Sequence, residues 1–329
     1  MSKKAKELVY QRIDGTTISA PLKPRRRKMN TNDFILIGMA MISVVFLGVF
    51  AYGPLYGLVL AFKAGDGYLN IAHAIRFAEW NGFENFKEFL IDPDFKNIME
   101  NTIGLNLLQL LINFPAPIIF AILMSELLGN RFKKTVQTVT FFPHFISWVI
   151  FGGIFLSLLD FDTGIVNTLL VDIGLVGEKK DILGEDQYFW GLIIITSILK
   201  GLGWGSVIYV AAISGISNDL YEAAIIDGAN RWQKIRYITI PSIAPTIVLF
   251  FILSIGGLLN NGIEHIFVFQ NANNLGRSEV LDTFIWRYGI PEWRYSYATA
   301  IGLLKSLVSL MLLILGNTIL KAITGKGIY

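Results

Sequence analysis

The stretch NDLYEAAIIDGANRWQKIRYITIP, Asn218 to Pro241, lies between two long apolar segments and is itself mixed in polarity. It carries Asp219, Glu222, Asp227, Arg231, Lys234 and Arg236, which makes it too polar to cross a bilayer. It is also too patterned for a slack loop. Asp219 is placed to cap a helix beginning near Leu220. Asp227 and Arg231 stand four apart, the spacing at which helical side chains meet. Gly228 permits a bend, and Pro241 either halts a second helix or opens the segment after it. The local prediction is a helix–turn–helix hairpin over residues 217–242 on a membrane surface, offering another molecule a shape to grip.

The flanking segments set the class. Of 329 residues, 53% are hydrophobic and only 16% charged, and apolar runs long enough to cross a bilayer recur along the chain. An all-α integral membrane protein is expected. With no cysteine, disulfides, thiolate metal sites and cysteine catalysis are excluded. His73, His144 and His265 are too scattered to suggest a metal site.

Six spans are read in order: 34–62, with Gly53-Pro54 breaking it toward its far end; 102–125, with Pro115 and Pro117 inside; 139–159; 188–213; 243–259; and 298–320. Residues 1–30 form a basic tail whose cluster Lys23, Arg25, Arg26, Arg27 and Lys28 is read as a topogenic signal; nothing else argues for nucleic-acid binding. Phe83, Phe86 and Leu90 share one helical face, so a short amphipathic surface helix is expected there. The loops at 160–187 and 260–296 read as polar. The basic tail, the Arg131–Lys134 loop, the hairpin and the Lys321/Lys326 tail fall on one side. The positive-inside rule makes that side cytoplasmic, with both termini on it.

Catalytic signatures are missing. Gly325-Lys326 lacks the upstream glycine of a phosphate-binding loop, and neither H-E-x-x-H nor G-x-S-x-G occurs. Gly201, Gly203 and Gly205 lie inside an apolar span with no strand before them, which favours helix packing over a dinucleotide loop. Lys200 and Lys305 sit within spans, where a charge costs roughly 2.5 kcal/mol or more. Each either packs or snorkels, or lines a polar route. Asn106, Gln109 and Asn113 in the second span, and Asn260, Asn261 and Glu264 after the fifth, are candidates for a hydroxyl-rich solute path or for hydrogen bonding between helices. Trp148 and Trp204 are candidates to stack on a sugar ring, or to pack as membrane aromatics do.

The pattern Glu222-Ala223-Ala224, Asp227-Gly228-Ala229, Trp232, Ile238 and Ile240-Pro241 resembles the EAA motif of binding-protein-dependent ABC importer permeases. The likeness extends to Asp92-Pro93-Asp94-Phe95, to FPHFISW at 142–148, to LSIGGLLNNGIEHIF at 253–267 and to YSYATAIGLLKS at 295–306. These segments look like the LplB/YteP-type polysaccharide permeases more than the maltose permease pair. Ile235 stands where the family usually has Phe, and Ile240 where it has Leu; the first 30 residues match no shared pattern.

The resemblance implies a type I importer permease domain over 31–329, paired with a second homologous permease on a dimer of cytoplasmic ATPases and fed by an extracytoplasmic solute-binding protein. ATP and Mg would lie on the ATPase; this chain is expected to hold no cofactor or metal and to catalyse nothing. Glu222, Ala223, Ala224, Asp227, Gly228, Ala229, Ile238 and Pro241 would form the coupling hairpin, and the cargo would be an oligosaccharide or polysaccharide fragment. The alternatives are a permease for another solute, such as glycerol phosphate or an amino acid, and a membrane protein that works without an ATPase.

Overall fold

A computed structural model describes residues 7–11, 17–21, 30–127 and 129–325. The basic cluster at 23–28 and Lys326 lie outside the described residues. The chain divides into two compact units, 1–57 and 58–329.

In the first unit, Glu7–Gln11 pairs antiparallel with Thr17–Pro21, Val9 opposite Ser19. The first span, Thr31–Phe62, starts at a capping box: Asn30 Oδ1 accepts from Thr31 N at 2.9 Å, and Asn30 N donates to Asp33 at 2.9 Å. None of Thr31–Leu47 is buried. Gly53-Pro54 does not end the span, but the helix changes type there and runs on as a 3-10 helix, Gly53–Phe62. A π-helical turn, Gly48–Tyr52, precedes it, and Gly53 N–H reaches back five residues to Gly48 O. A single-turn π-bulge is a known way to fit such a residue into a continuing helix.

The second unit holds the other spans. The second runs from Phe95 to Glu126, the fourth from Asp186 to Ser214, the fifth from Arg231 to Gly256 and the sixth from Tyr295 to Ala322. Pro115 and Pro117 fall in the first turn of a helix restarting after Phe114, where a missing N–H costs nothing. The third span, read over 139–159, begins earlier and is not one helix. It is two helical pieces, Asn130–Phe145 and Trp148–Leu159, bent by 101° at Ile146-Ser147. Pro143 opens a 3-10 turn that ends the first piece, and Ser147 Oγ caps the second by accepting from Ile150 N at 3.3 Å.

The fourth span is the central helix. Its Phe189, Leu192, Ile193 and Ile194 pack with Leu105, Ile266, Phe269 and Val280; further along, Tyr209 and Ile213 pack with Ala121 and Ile243. Its glycines differ in purpose. A Cβ on Gly203 would lie 2.3 Å from the Thr140 carbonyl oxygen, so the third and fourth spans touch there through bare backbone. A Cβ on Gly201 would meet nothing within 4 Å.

The loop expected to be polar between spans five and six is folded. It contains helices Ile263–Phe269, Leu275–Ser278 and Leu281–Gly289, and His265, Ile266, Phe269, Val280, Leu281 and Phe284 are buried. Buried asparagines fasten the chain on this side. Asn101 Nδ2 donates to Gly276 O and Glu279 O, both at 3.0 Å; Asn274 Nδ2 donates to Leu183 O and Phe269 O, both at 2.9 Å. Asn85 Nδ2 donates to Ala61 O and Lys63 O, both at 3.0 Å. The short helix expected near Phe83, Phe86 and Leu90 is Glu84–Ile91: Asn85 and Phe89 face inward, Phe89 packing with Ile98, Leu281, Phe284 and Tyr297, while Phe83 and Leu90 are exposed on the other side.

The close approach at Gly203 gives a test. Gly203→Ala should destabilise the detergent-purified protein by about 1–3 kcal/mol through overpacking, lowering its thermal midpoint, while Gly201→Ala leaves the midpoint unchanged. Equal midpoints would contradict the packing role.

Candidate functional site

The hairpin between spans four and five is built from two consecutive local motifs. Its first helix, Asn218–Ile226, is capped by Ser217, whose Oγ accepts from Asp219 N at 3.3 Å; Asp219 is thus in the first turn and is not the cap. The helix ends in a Schellman turn: Gly228 N donates to Ile225 O at 3.0 Å and Ala229 N to Ala224 O at 2.8 Å. Gly228 has φ +78°, a left-handed conformation that glycine adopts without strain. The turn separates Asp227 from Arg231, and no ion pair joins them among the described residues. A capping box then starts the second helix, with Gln233 N donating to Asn230 Oδ1 at 2.9 Å and Asn230 N to Gln233 Oε1 at 2.7 Å.

This second helix does not stop at Pro241. Arg231–Lys234 passes through a π-helical turn, Ile235–Thr239, into Ile240–Gly256, and Ile240 N–H bonds to Ile235 O. The hairpin's second arm and the fifth span are therefore one helix. Tyr221 Oη and Thr239 Oγ1, 2.9 Å apart, tie the first arm to it. Glu222, Ala223, Asp227 and Gly228 are exposed, and so are Ile225, Ile226, Trp232 and Tyr237. The tip is an apolar surface rimmed by charge. Ala224, Ala229 and Ile238 are half-buried behind it.

The intramembrane candidates fall around three adjoining cavities. A cavity of about 520 Å³ lies among spans two, four and five, lined by Asn106, Gln109, Asn113, Ser197, Trp204 and Asn260 together with apolar side chains. A second, of about 680 Å³, shares Asn260 and adds Asp282, Trp286 and Lys305. A third, of about 420 Å³, shares Ser197 and includes His144, Trp148, Lys200 and Glu264. Asn261 is buried and lines none of these; its backbone N–H donates to Asp282 at 2.9 Å. Ser197 and Ser254 were missed in the sequence because single serines in an apolar run carry no pattern.

Neither lysine offers a free charge. Lys200 Nζ donates to the carbonyls of Pro143 and His144, each at 3.0 Å, and of Ile146. Those carbonyls lie at the break in the third span, and that of Pro143 also accepts from Ile146 N at 3.3 Å. The ammonium also lies 5.2 Å from the centre of the Trp148 ring. Lys305 pairs with Asp282 across from the sixth span. One face of Trp148 is covered by His265, the rings 3.7 Å apart, and His265 Nε2 lies 2.8 Å from Thr196 Oγ1. Trp204 stacks on His144 at 4.5 Å yet remains 54% exposed, so it keeps aromatic surface for a ligand. Asn113 has both amide atoms buried without a partner among the described residues, an arrangement that native proteins seldom leave unused.

Five spanning helices and a bent pair, with a surface hairpin running into one of them and polar cavities between them, define a multi-pass membrane permease. The comparisons with known proteins agree. The chain belongs to the family described as binding-protein-dependent transport system inner membrane component, whose model matches residues 113–325. It is 37% identical over 287 residues to Protein LplB of Bacillus subtilis (strain 168), covering 87% of this chain and 88% of that one. It is 38% identical over 291 residues to the polygalacturonan/rhamnogalacturonan transport system permease protein YteP of the same organism, covering 88% and 89%. Among solved structures it resembles a chain of a bacterial ABC transporter involved in the import of the acidic polysaccharide alginate, with a TM-score of 0.81 at 34% identity over 89% of this chain and 97% of that one. It is a membrane subunit of an ABC transport system.

The Lys305–Asp282 pair can be tested by a double-mutant cycle. Removing one partner strands the other charge, so Lys305→Met and Asp282→Asn should each lower the thermal midpoint more than the double variant does. Additive losses would show the pair to be uncoupled.

Proposed function

We propose that this chain is one of two permease subunits of an ATP-driven importer for an oligosaccharide or polysaccharide fragment. The hairpin Asn218–Lys234 is its joint to a cytoplasmic ATPase dimer that binds ATP and Mg. A solute-binding protein delivers the cargo on the opposite side. The distribution of basic residues supports a cytoplasmic side for the hairpin and both termini. Glycan cargo is supported by what the relatives carry: polygalacturonan and rhamnogalacturonan for YteP and alginate for the solved transporter, the latter also crystallised with a sugar-loaded periplasmic protein.

The observation that carries the mechanical part is the single helix from Arg231 to Gly256. A push on the exposed tip is delivered along that helix to Phe250, Ser254 and the neighbouring Gly257–Asn260 segment, which border the cavity among spans two, four and five. Glu222 is placed to meet a basic group of the ATPase, and the exposed Ile225, Ile226 and Trp232 to enter an apolar groove. Asn106, Gln109, Asn113 and Asn260 supply amide donors and acceptors for hydroxyls, and Trp204 a surface for a sugar ring.

Two substitutions test the joint. Glu222→Arg should leave the permease's thermal midpoint unchanged, because the residue is exposed, yet weaken ATPase co-purification about tenfold or more, a change of ~1.4 kcal/mol. Gly228→Pro forces φ to about −65° at a position that needs +78° and should abolish both assembly and uptake. Uptake that survives both changes would refute the coupling role.

A further inference from the structure

The first span ends at Phe62, and residues 58–62 are all apolar. The segment that follows folds back onto this end and is pinned there. Asn81 N donates to Phe62 O at 3.0 Å and Ala64 N to Glu79 O at 2.8 Å, and Lys63 pairs with Trp80 as an isolated bridge. Asn85 holds the carbonyls of Ala61 and Lys63, and Lys63 Nζ donates to Ile75 O at 2.7 Å, which ties in the helix Ile71–Phe77. The Phe62 ring meets those of Phe83 and Phe86, with centroids 5.5 and 5.4 Å apart. Three aromatic side chains of this pinned segment are left uncovered: Phe77, Trp80 and Phe83 are 58%, 68% and 65% exposed. Arg76 is exposed, enters no ion pair among the described residues, and holds its guanidinium 5.5 Å from the centre of the Phe77 ring.

We propose that Phe77, Trp80 and Phe83 are seated among the lipid headgroups of the leaflet opposite the hairpin and anchor the end of the first span there. An exposed apolar patch of this kind calls for a cover. Continuity with the membrane-crossing surface selects lipid as that cover. The Phe83 ring touches the last residue of an apolar run that crosses the bilayer, and Trp80 is bridged to the residue after it. Aromatic rings at that level are what membrane–water interfaces collect. Arg76 completes the arrangement: its stem can lie along Phe77 while its guanidinium reaches a lipid phosphate. The hydrogen bonds at Phe62, Ala64 and Asn85 then fix the depth of the span's end to the depth of the rings. The far end of the segment is different. Ile91 is 80% exposed, but it precedes the opening turns of the second span, where Lys96, Asn97 and Glu100 are exposed. It therefore stands about two helical turns, ~10 Å, above the apolar part of that span, which begins near Thr102.

The test uses the complete transporter, purified with its second permease and ATPase and placed in nanodiscs of phosphatidylethanolamine and phosphatidylglycerol, with its sugar-loaded binding protein present. The photoreactive residue p-benzoylphenylalanine replaces Phe77, Trp80, Phe83 or Ile91, one at a time. All four side chains are exposed, so the variants should assemble. After irradiation the mass of this subunit is read. Positions 77, 80 and 83 should carry lipid adducts severalfold more often than position 91. A main adduct with the binding protein or with the second permease at positions 80 and 83 would overturn the proposal and name the true cover. Lipid yields at those positions no higher than at 91 would overturn it as well.

Discussion

The structure depends on how it satisfies a broken backbone inside a membrane. A helix that stops at bilayer depth leaves carbonyls with no water to bond, and each costs several kcal/mol. The third span stops at Phe145 and turns by 101° before Trp148. Lys200, from the middle of the fourth span, supplies one ammonium to three carbonyls at the break, those of Pro143, His144 and Ile146. One expensive feature resolves another: the buried charge gains three acceptors, and the acceptors gain a donor. The consequence reaches the cavities. The same turn carries His144, which stacks on Trp204 at 4.5 Å, and Trp148, which stacks on His265 at 3.7 Å. The kink therefore fixes which aromatic faces are covered and which remain available to cargo.

The fifth span solves a related difficulty differently. Pro241 would interrupt a regular helix, but the π turn Ile235–Thr239 just before it lets the helix continue from Arg231 to Gly256. The first span does the same, with Gly48–Tyr52 before Gly53-Pro54. In both, the π turn ends two residues before the proline. Beyond Gly256 the helix gives way at Gly257 and Gly262, the latter with φ +71°, and the chain folds back as Ile263–Phe269 into the core between spans three and four. One continuous helix, with Pro245 inside it, thus joins the exposed hairpin to the Gly257–Gly262 segment beside the cavities, the connection that force transmission along the proposed route requires.

What was legible in the sequence was local. Long apolar runs marked the spans, and Gly228 between Asp227 and Ala229 marked a turn, because a Schellman ending is encoded within six residues. Neighbouring candidates blurred the details: with Ser217, Asn218 and Asp219 adjacent, any could cap, and Ser217 does. What was not legible was long-range. Lys200 is more than fifty residues from the carbonyls it holds, and Asn101 about 175 from its acceptors. No pattern announces such partners. The fold of 257–294 was hidden for the same reason, since its buried residues are recruited by spans two, three, four and six. Asn106, Asn113, Trp204 and Asn260 do converge on one cavity. Lys200 and Lys305, chosen for the same route, turn out to be engaged by the protein itself.

The central claim is that the cavity beside Ser254 is opened to alternate sides of the membrane by force entering at the hairpin. The chain has no cysteine, so Ser254→Cys gives it a single labelling site in the first cavity, read on this subunit's own band. Its reaction with a membrane-impermeant maleimide should be measured from each side, in the resting transporter and with the ATPase trapped in its closed state. Labelling should come from the hairpin side at rest and from the opposite side when trapped. Labelling from the same side in both states would contradict the claim.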